Sequence, residues 1–360
     1  MKNNKDLPAG DHAGPLMADV ARLAGVAIST VSRALTNPGR VNEKTRARIQ
    51  GAAMQLGYTP NALARGLRVG KSNSVIVVLP GPLYYGASQI IPQVLSGINA
   101  ALVEGGYHLI IANLDRGEQS ERHVLDLAFG GSVQGVLILS SAVPEVDGRS
   151  LSQAALPIVS LLHDLTALDI PSVVTNDREA VRGATAELIA LGHRRFQYLA
   201  GPPGDYHDVE RYAGVLEALH DAGLGEDAVL RSGGIDYRHG FRIGVEAAAE
   251  YHGLATKPTA IIATSDDMAI SFMSRVHQAG YKIPTDLSIV SFDGSAICDY
   301  CWPPLSSILQ PVEEMGRRAV SLLIERINAP QCEHSERIIV PSTLVRRDSL
   351  APVAGSMALF

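Results

Sequence analysis

Residues 19–49 read DVARLAGVAISTVSRALTNPGRVNEKTRARI. Together with Met17 just ahead of them, Val20, Ala21 and Ala24 fall at i, i+3, i+4 and i+7, which is one face of a short helix. Gly25 breaks that pattern where a tight turn can use a permissive backbone. Val31, Ala34 and Leu35 form the inner face of a second short helix, whose outer face carries Ile28, Ser29, Ser32 and Arg33. Thr36-Asn37-Pro38-Gly39 is a turn cluster that stops it. Asn42 suits the N-cap of a third helix with the apolar stripe Ile49, Ala52, Ala53 and Leu56, ended by Gly57. Three short helices with a glycine turn between the first two describe a helix-turn-helix unit. Its second helix would enter a DNA major groove with its N-terminal side chains at the base edges. Small polar residues there permit close approach, and Arg33 can bond guanine O6 and N7 together. A three-helix packing module with no DNA role would carry the same periodicity, so pattern alone leaves both readings open.

Charge follows the same boundary. Residues 1–71 hold eleven Lys/Arg and four acids, a balance of +7, while the rest holds 20 bases and 33 acids, −13. A basic head on an acidic body is the footprint of a nucleic-acid-binding module joined to something else, although a solvated basic tail fits the charge equally well. The 360 residues predict two or three domains, and 46% apolar against 19% charged residues excludes global disorder. No run of about 18 apolar residues occurs, so no membrane-spanning helix is expected. The start, MKNNKDLPAGDHAGPLMADV, lacks the apolar stretch of a secretory signal, and three cysteines (Cys298, Cys301, Cys332) fit a reducing cytoplasm. Residues 1–16, rich in Gly, Pro, Asn and Asp, read as a disordered leader.

Residues 17–71 resemble the DNA-binding head of the lac repressor (LacI/GalR) family of bacterial transcription regulators. The likeness rests on two signatures, AGV and STVSRAL within 24–35 and GYTPNALARGL at 57–67. It implies that Ile28, Ser29 and Arg33 read bases and that Thr30, Ser32, Thr45 and Tyr58 hold phosphates. One departure is Ala27, where the family usually has Ser; one cap or phosphate contact is lost there, worth about 1 kcal/mol. Residues 60–68, PNALARGLR, are too few and too glycine-broken for a helix stable alone. The family uses this stretch as a hinge helix that folds on DNA. Leu67 would wedge a central base step from the minor groove, Ala64 would pack beside it, and Asn61 and Arg68 would join the contact. The expected division is a head at 17–59 and a hinge with flexible linker at 60–74.

From Val75 onward short β-rich runs alternate with amphipathic stretches. The runs are 75–80, 108–113, 135–139, 157–161, 173–175, 196–200, 259–264 and 288–292; the stretches include 90–104, 178–191 and 209–222. Continuous apolar strands with helical crossovers predict parallel sheets covered on both faces, with ligands at the strand carboxyl ends. About 275 residues are long for one such sheet, so two lobes are expected. No dinucleotide, Walker, nucleophile-elbow or zincin motif occurs, so no enzyme is read here. The lone Cys298-Asp299-Tyr300-Cys301 reads as two structural cysteines, and His193 as part of a helix-to-strand turn. No cofactor and no metal are expected.

The body resembles the same family through segments 187–202, 210–219, 260–270, 288–308 and 340–349. The resemblance implies an all-α helix-turn-helix head with hinge helix, joined to an α/β periplasmic-binding-protein-like core of two parallel-sheet lobes at 75–349. Lobe 1 would take about 75–174 plus 309–338, and lobe 2 about 175–301 plus 340–349. Crossings would fall near 174–175, 301–311 and 338–341, with a tail at 350–360. By position, Arg211 is the effector-gripping arginine and Asp293 the carboxylate that accepts hydroxyl hydrogen bonds. Ser265 and Asp266 follow a strand end and face the ligand, while Tyr84 and Tyr85 stack on it or close over it. Two departures make one wall less polar than a hexose site. Leu162, followed by His163 and Asp164, stands where the family often has an Asp ligand, and Ile235 stands in place of a cleft aromatic, with Tyr237 two residues on. The implied partners are a near-palindromic double-stranded DNA operator, a carbohydrate effector and a second copy of the chain. No heptad repeat follows Arg347, so no tetramerising coiled coil is expected. The alternatives are a less hydroxylated acid or nucleoside-like corepressor, a cytoplasmic sugar-binding sensor, and a sugar-processing enzyme on the same fold.

Overall fold

The structure, a computed structural model, describes residues 15–36, 38–58, 72–81, 90–234, 240–329 and 336–353. The chain forms two compact units, Met1–Ser72 and Asn73–Phe360. The first contains α1 (Met17–Ala24), α2 (Ile28–Thr36) and α3 (Glu43–Leu56). Gly25 ends α1 with φ 60, and its N–H closes on the Ala21 and Arg22 carbonyls; a side chain is disfavoured in that left-handed conformation. Asn42 opens α3 by accepting the Lys44 N–H at 3.0 Å. Val20, Ala21, Ala24, Val31, Ala34, Ile49 and Ala52 are buried together as a small core. Leu35, Ala53, Leu56 and Tyr58 pack around it. The expected hinge at 60–68 lies outside the described residues.

In the second unit, one sheet joins β1 (Ser74–Leu79), β2 (His108–Asn113), β3 (Gly135–Ile138), β6 (Ile158–Leu161), β7 (Ser172–Val174) and β13 (Arg337–Ile339), in the order β13-β7-β6-β3-β1-β2. All its pairings are parallel. A small antiparallel hairpin, β4 (Glu145–Val146) and β5 (Arg149–Ser150), stands apart from it. The other sheet joins β8 (Phe196–Ala200), β9 (Val229–Gly233), β10 (Ala260–Ala263), β11 (Ser288–Asp293), β12 (Ser306–Leu309) and β14 (Thr343–Val345), in the order β14-β12-β11-β10-β8-β9. Only β14 runs antiparallel.

Each sheet is covered on both faces, which is why its central strands, such as β1, β3 and β10, are continuous apolar runs. On the first sheet, α4 (Ile91–Glu104) and α10 (Val312–Asn328) cover one face and α5 (Glu118–Phe129) the other. On the second, α6 (Asp177–Ala190) and α7 (Tyr206–Asp221) cover one face, α8 (Gly240–Gly253) and α9 (Asp266–Gln278) the other. The chain passes between sheets three times: between Val174 and Asp177, between Leu309 and Val312, and between Ile339 and Thr343. Strand β12, absent from the runs read in the sequence, therefore belongs to the second sheet and extends that lobe past residue 301. Among the described residues no helix is long and apolar enough to cross a membrane.

Candidate functional site

In the head, Ile28, Ser29 and Arg33 are exposed on α2, while Thr30 and Ser32 are half-buried beside them. Thr45 is half-buried near the start of α3, and Tyr58 is half-buried against the head core. Ile28 is an isoleucine 49% exposed, and it sits in the first turn of α2 where a large apolar side chain gains nothing from the head's own core. Asn61, Ala64, Leu67 and Arg68 lie outside the described residues.

The second site lies at the strand carboxyl ends of the body. Asp205 caps α7 by accepting the His207 N–H at 3.0 Å. His207 and Arg211, four residues apart on α7, then lie on one helix face. Both reach the buried Asp177: His207 Nδ1 lies 2.6 Å and Arg211 Nε 3.2 Å from its Oδ2. The Thr175 hydroxyl also donates to Asp177. Burial alone would raise the Asp177 pKa, but Arg211 and His207 outweigh it and hold the carboxyl below its ordinary range. Arg211 also donates to the Thr264 carbonyl at 2.6 Å and lies 3.7 Å over the Phe292 ring.

Asp293 ends β11 at φ 117, a conformation unfavourable for any residue but glycine. Its carboxyl accepts from Gln310 Nε2 at 2.7 Å. Burial pushes its pKa well up and neighbouring Asp266 adds to this, against Arg211. Asp266 departs from the expected ligand-facing role. Its two oxygens already accept from the Ser291, Ser295 and Ser307 hydroxyls at 2.5, 2.6 and 2.6 Å and from the Ser295 N–H at 2.7 Å. A carboxylate with four donors stitches α9 to β11 and β12 and has little left for a ligand. Ser265 caps α9, accepting the Met268 N–H at 3.4 Å. The neighbouring Asp267, not singled out in the sequence, keeps a buried oxygen without a partner, and burial pushes its pKa up to about 6.

On the first lobe, Leu162 turns its side chain into the core while its backbone takes φ 76. That turn brings His163 against the second lobe, with ring centroids 5.0 Å from His207 and 6.4 Å from Tyr206. Arg337 pairs with Asp164 at 2.8 Å and donates to the Tyr206 hydroxyl at 3.2 Å. A cavity of about 530 Å³ beside this contact is lined by Asp164, Arg337, Tyr206, Glu210, Thr175 and Asn176, among others. Tyr84, Tyr85 and Ile235 lie outside the described residues. His163, Tyr206 and His207 carried no sequence signal beyond following a strand run, because their meeting depends on how two lobes pack. His193 sits in the expected turn, bonded to Thr259 Oγ1 at 2.9 Å and the Ala351 carbonyl at 3.1 Å. Cys298 and Cys301 are free thiols, the first buried.

Known proteins share both units. The family model described as bacterial regulatory proteins, lacI family, matches residues 16–61, and the periplasmic binding protein-like domain matches residues 185–350. The HTH-type transcriptional repressor CytR of Escherichia coli (strain K12) is 30% identical over 336 residues, 93% of this chain and 96% of that protein. The chain belongs to the lacI family of bacterial regulatory proteins. It is accordingly a DNA-binding transcriptional regulator and not an enzyme. Two solved structures of lacI-type regulators illustrate the likeness. A complex of the transcriptional regulator CelR with cellobiose is 29% identical, covering 93% of this chain and all of that one, with TM-score 0.67. The lac repressor dimer bound to operator and the anti-inducer ONPF is 24% identical, covering 94% and 100%, with TM-score 0.78, a likeness of fold.

Proposed function

We propose that this protein is a cytoplasmic homodimeric repressor whose affinity for a near-palindromic operator is set by a sugar or sugar derivative bound between its core lobes. The reading assigns DNA binding to residues 17–59 with the hinge at 60–74, and effector binding and dimerisation to 75–349. Ile28, Ser29 and Arg33 would read bases, and Thr30, Ser32, Thr45 and Tyr58 would hold phosphates. Leu67 would wedge the central step, flanked by Asn61, Ala64 and Arg68. Arg211 and Asp293 would grip the effector, with Ser265, Tyr84, Tyr85 and Ile235 around it. A sugar is favoured by the cellobiose named in the CelR complex and by a cleft that offers carboxyl acceptors beside a guanidinium, which suits neighbouring hydroxyls.

One observation carries the reading. Helix α7 bears Arg211 at the strand ends and, one turn earlier, Tyr206 and His207, which touch Arg337 and His163 of the other lobe. A ligand held by Arg211 would therefore bias the angle between lobes, and any ligand that prefers one angle changes DNA affinity by linkage. The test is a thermal-shift screen of sugars, sugar phosphates, sugar acids and nucleosides. A ligand at about 100 times its dissociation constant stabilises by about 2.7 kcal/mol. A hit is then added to an operator-binding titration. A changed operator affinity supports the reading; a tightly bound hit that leaves it unchanged refutes the allosteric role.

A further inference from the structure

His163 is a titratable group outside the roles assigned above, and its surroundings are unusual. It projects from the first lobe after β6, yet its ring packs against His207 and Tyr206 of the second. Its Nδ1 is buried without a hydrogen-bond partner. The groups that face it come from both lobes. From α7 and its cap come Asp205, Tyr206, His207 and Arg211, and from the start of α6 comes Asp177; in its own lobe the next residue, Asp164, is paired with Arg337.

Each carboxylate in that ring is already engaged. Asp177 is held by Arg211, His207 and Thr175. Asp164 is held by Arg337, and Asp205 caps α7 through the His207 and Asp208 N–H groups. A proton added to His163 would place a charge in the lobe contact against His207 and Arg211, with only the already engaged Asp205 and Asp177 to offset it. A charge with little access to water and incomplete pairing is costly for a protein to hold. Separating the lobes removes the difficulty, because the imidazolium then meets water.

We propose that the proton is a second effector of this protein, read by His163, whose protonation opens the contact between the core lobes. The closed arrangement tolerates only the neutral ring. Burial, followed by the facing His207, lowers the His163 pKa from 6.5 to about 3. In the open arrangement the ring faces solvent and keeps its ordinary value near 6.5. Between those limits the open form binds one proton more than the closed form. The closing equilibrium then falls by up to roughly tenfold for each pH unit below about 6.5. The inference stands on the lobe contact and does not depend on what the cleft binds.

Hydroxyl-radical footprinting of the full-length protein between pH 7.5 and 5.0 tests it. The readout is oxidation of the Tyr206 side chain, normalised to Tyr251, which is buried in the second-lobe core. Tyr206 oxidation is expected to rise several-fold on acidification in the wild type and to stay flat in His163→Gln, which cannot be charged. No rise in the wild type overturns the proposal, whatever the variant does. An equal rise in His163→Gln also overturns it, by assigning the response to another group. A parallel rise at Tyr251 means general loosening and overturns it as well. If the gate is real and the operator reading is wrong, footprinting responds while operator affinity does not, so the two can fail separately.

Discussion

Arg211 shows why a single residue can mislead. It holds the buried Asp177 carboxylate, so removing it takes away the guanidinium and leaves only His207 and Thr175 bonded to that charge. Arg211→Ala should cost about 3–5 kcal/mol of core stability, and lost ligand response in that variant would say little about ligand contact. Asp293→Asn is the cleaner probe, because it keeps the shape and the Gln310 neighbour while replacing one carboxyl oxygen with an amide donor. Its ligand affinity should fall in a calorimetric titration with any hit from the screen, with the fold intact by circular dichroism. Asp267 gives a stability test with a defined sign. Its pKa is raised from 3.8 to about 6, so the folded state holds this proton longer than the unfolded chain. The stability it contributes is present below about 3.8 and is lost as pH rises to about 6. Asp267→Asn should therefore raise the melting temperature by about 2–4 °C at pH 7.5, with the gain vanishing toward pH 4. In the head, Arg33→Ala should cost about 1–3 kcal/mol in specific DNA binding and relax base preference at one position. Unchanged operator affinity in a fluorescence-anisotropy titration would remove Arg33 from the reading face.

Among the elements, the helix pairs decide how tightly each lobe is built. Gly214 of α7 faces the Arg178 carbonyl of α6, and Gly244 of α8 faces Ser271 and the Met268 carbonyl of α9. A methyl at either place would collide with a neighbouring backbone. Gly214→Ala should thus destabilise the core by about 1–3 kcal/mol through overpacking, seen as a lower denaturant midpoint with the head unaffected. This pair also sets where α7 stands, and hence where Tyr206, His207 and Arg211 reach. The hinge at 60–68 carries a separate prediction from sequence. Leu67→Ala should reduce specific operator affinity and DNA bending in a gel assay while sparing random DNA, because only the kinked site uses the wedge. An equal loss on both contradicts it.

At the scale of the whole molecule, the body is one chain woven through two sheets. Strand β13 and helix α10 come late in sequence yet complete the first lobe, while β12 and β14 complete the second. Because the chain crosses three times, the lobes can change their angle only by bending those crossings together, which suits a hinged two-state element. Operator DNA and cleft ligand should therefore influence each other by one common factor. Ligand affinity measured with saturating operator should differ from that without it by the ratio found for operator affinity. Unequal ratios would show that the two sites do not share one equilibrium.

Local chemistry explains why so much was readable from the residues. Gly25, Asn42 and Gly57 punctuate the head helices because left-handed turns and N-caps need those residue types, wherever the rest of the chain goes. The run 196–200 coincides with β8, a strand buried along its whole length and therefore largely apolar, while 108–113 coincides with β2, an edge strand that keeps its apolar residues although it is only partly buried. Arg211 and Asp293 stand out in the sequence only through family signatures; Asp293 ends β11, and Arg211 reaches from α7 to the Thr264 carbonyl just past β10. Other features needed the assembled body. Strands β9 and β14 have mixed burial and no clean apolar run, so pairing with their neighbours decides them. Asp266 looked like a ligand group until Ser291 of β11, Ser307 of β12 and Ser295 of the loop between them were brought to it. His163 and His207 are 44 positions apart in sequence, and no periodicity links them. Residue patterns alone specified the head helices, the parallel-sheet class and the family likeness; which polar groups meet across the lobes emerged only in the folded chain, because burial and pairing of a charge depend on neighbours that local spacing does not contain.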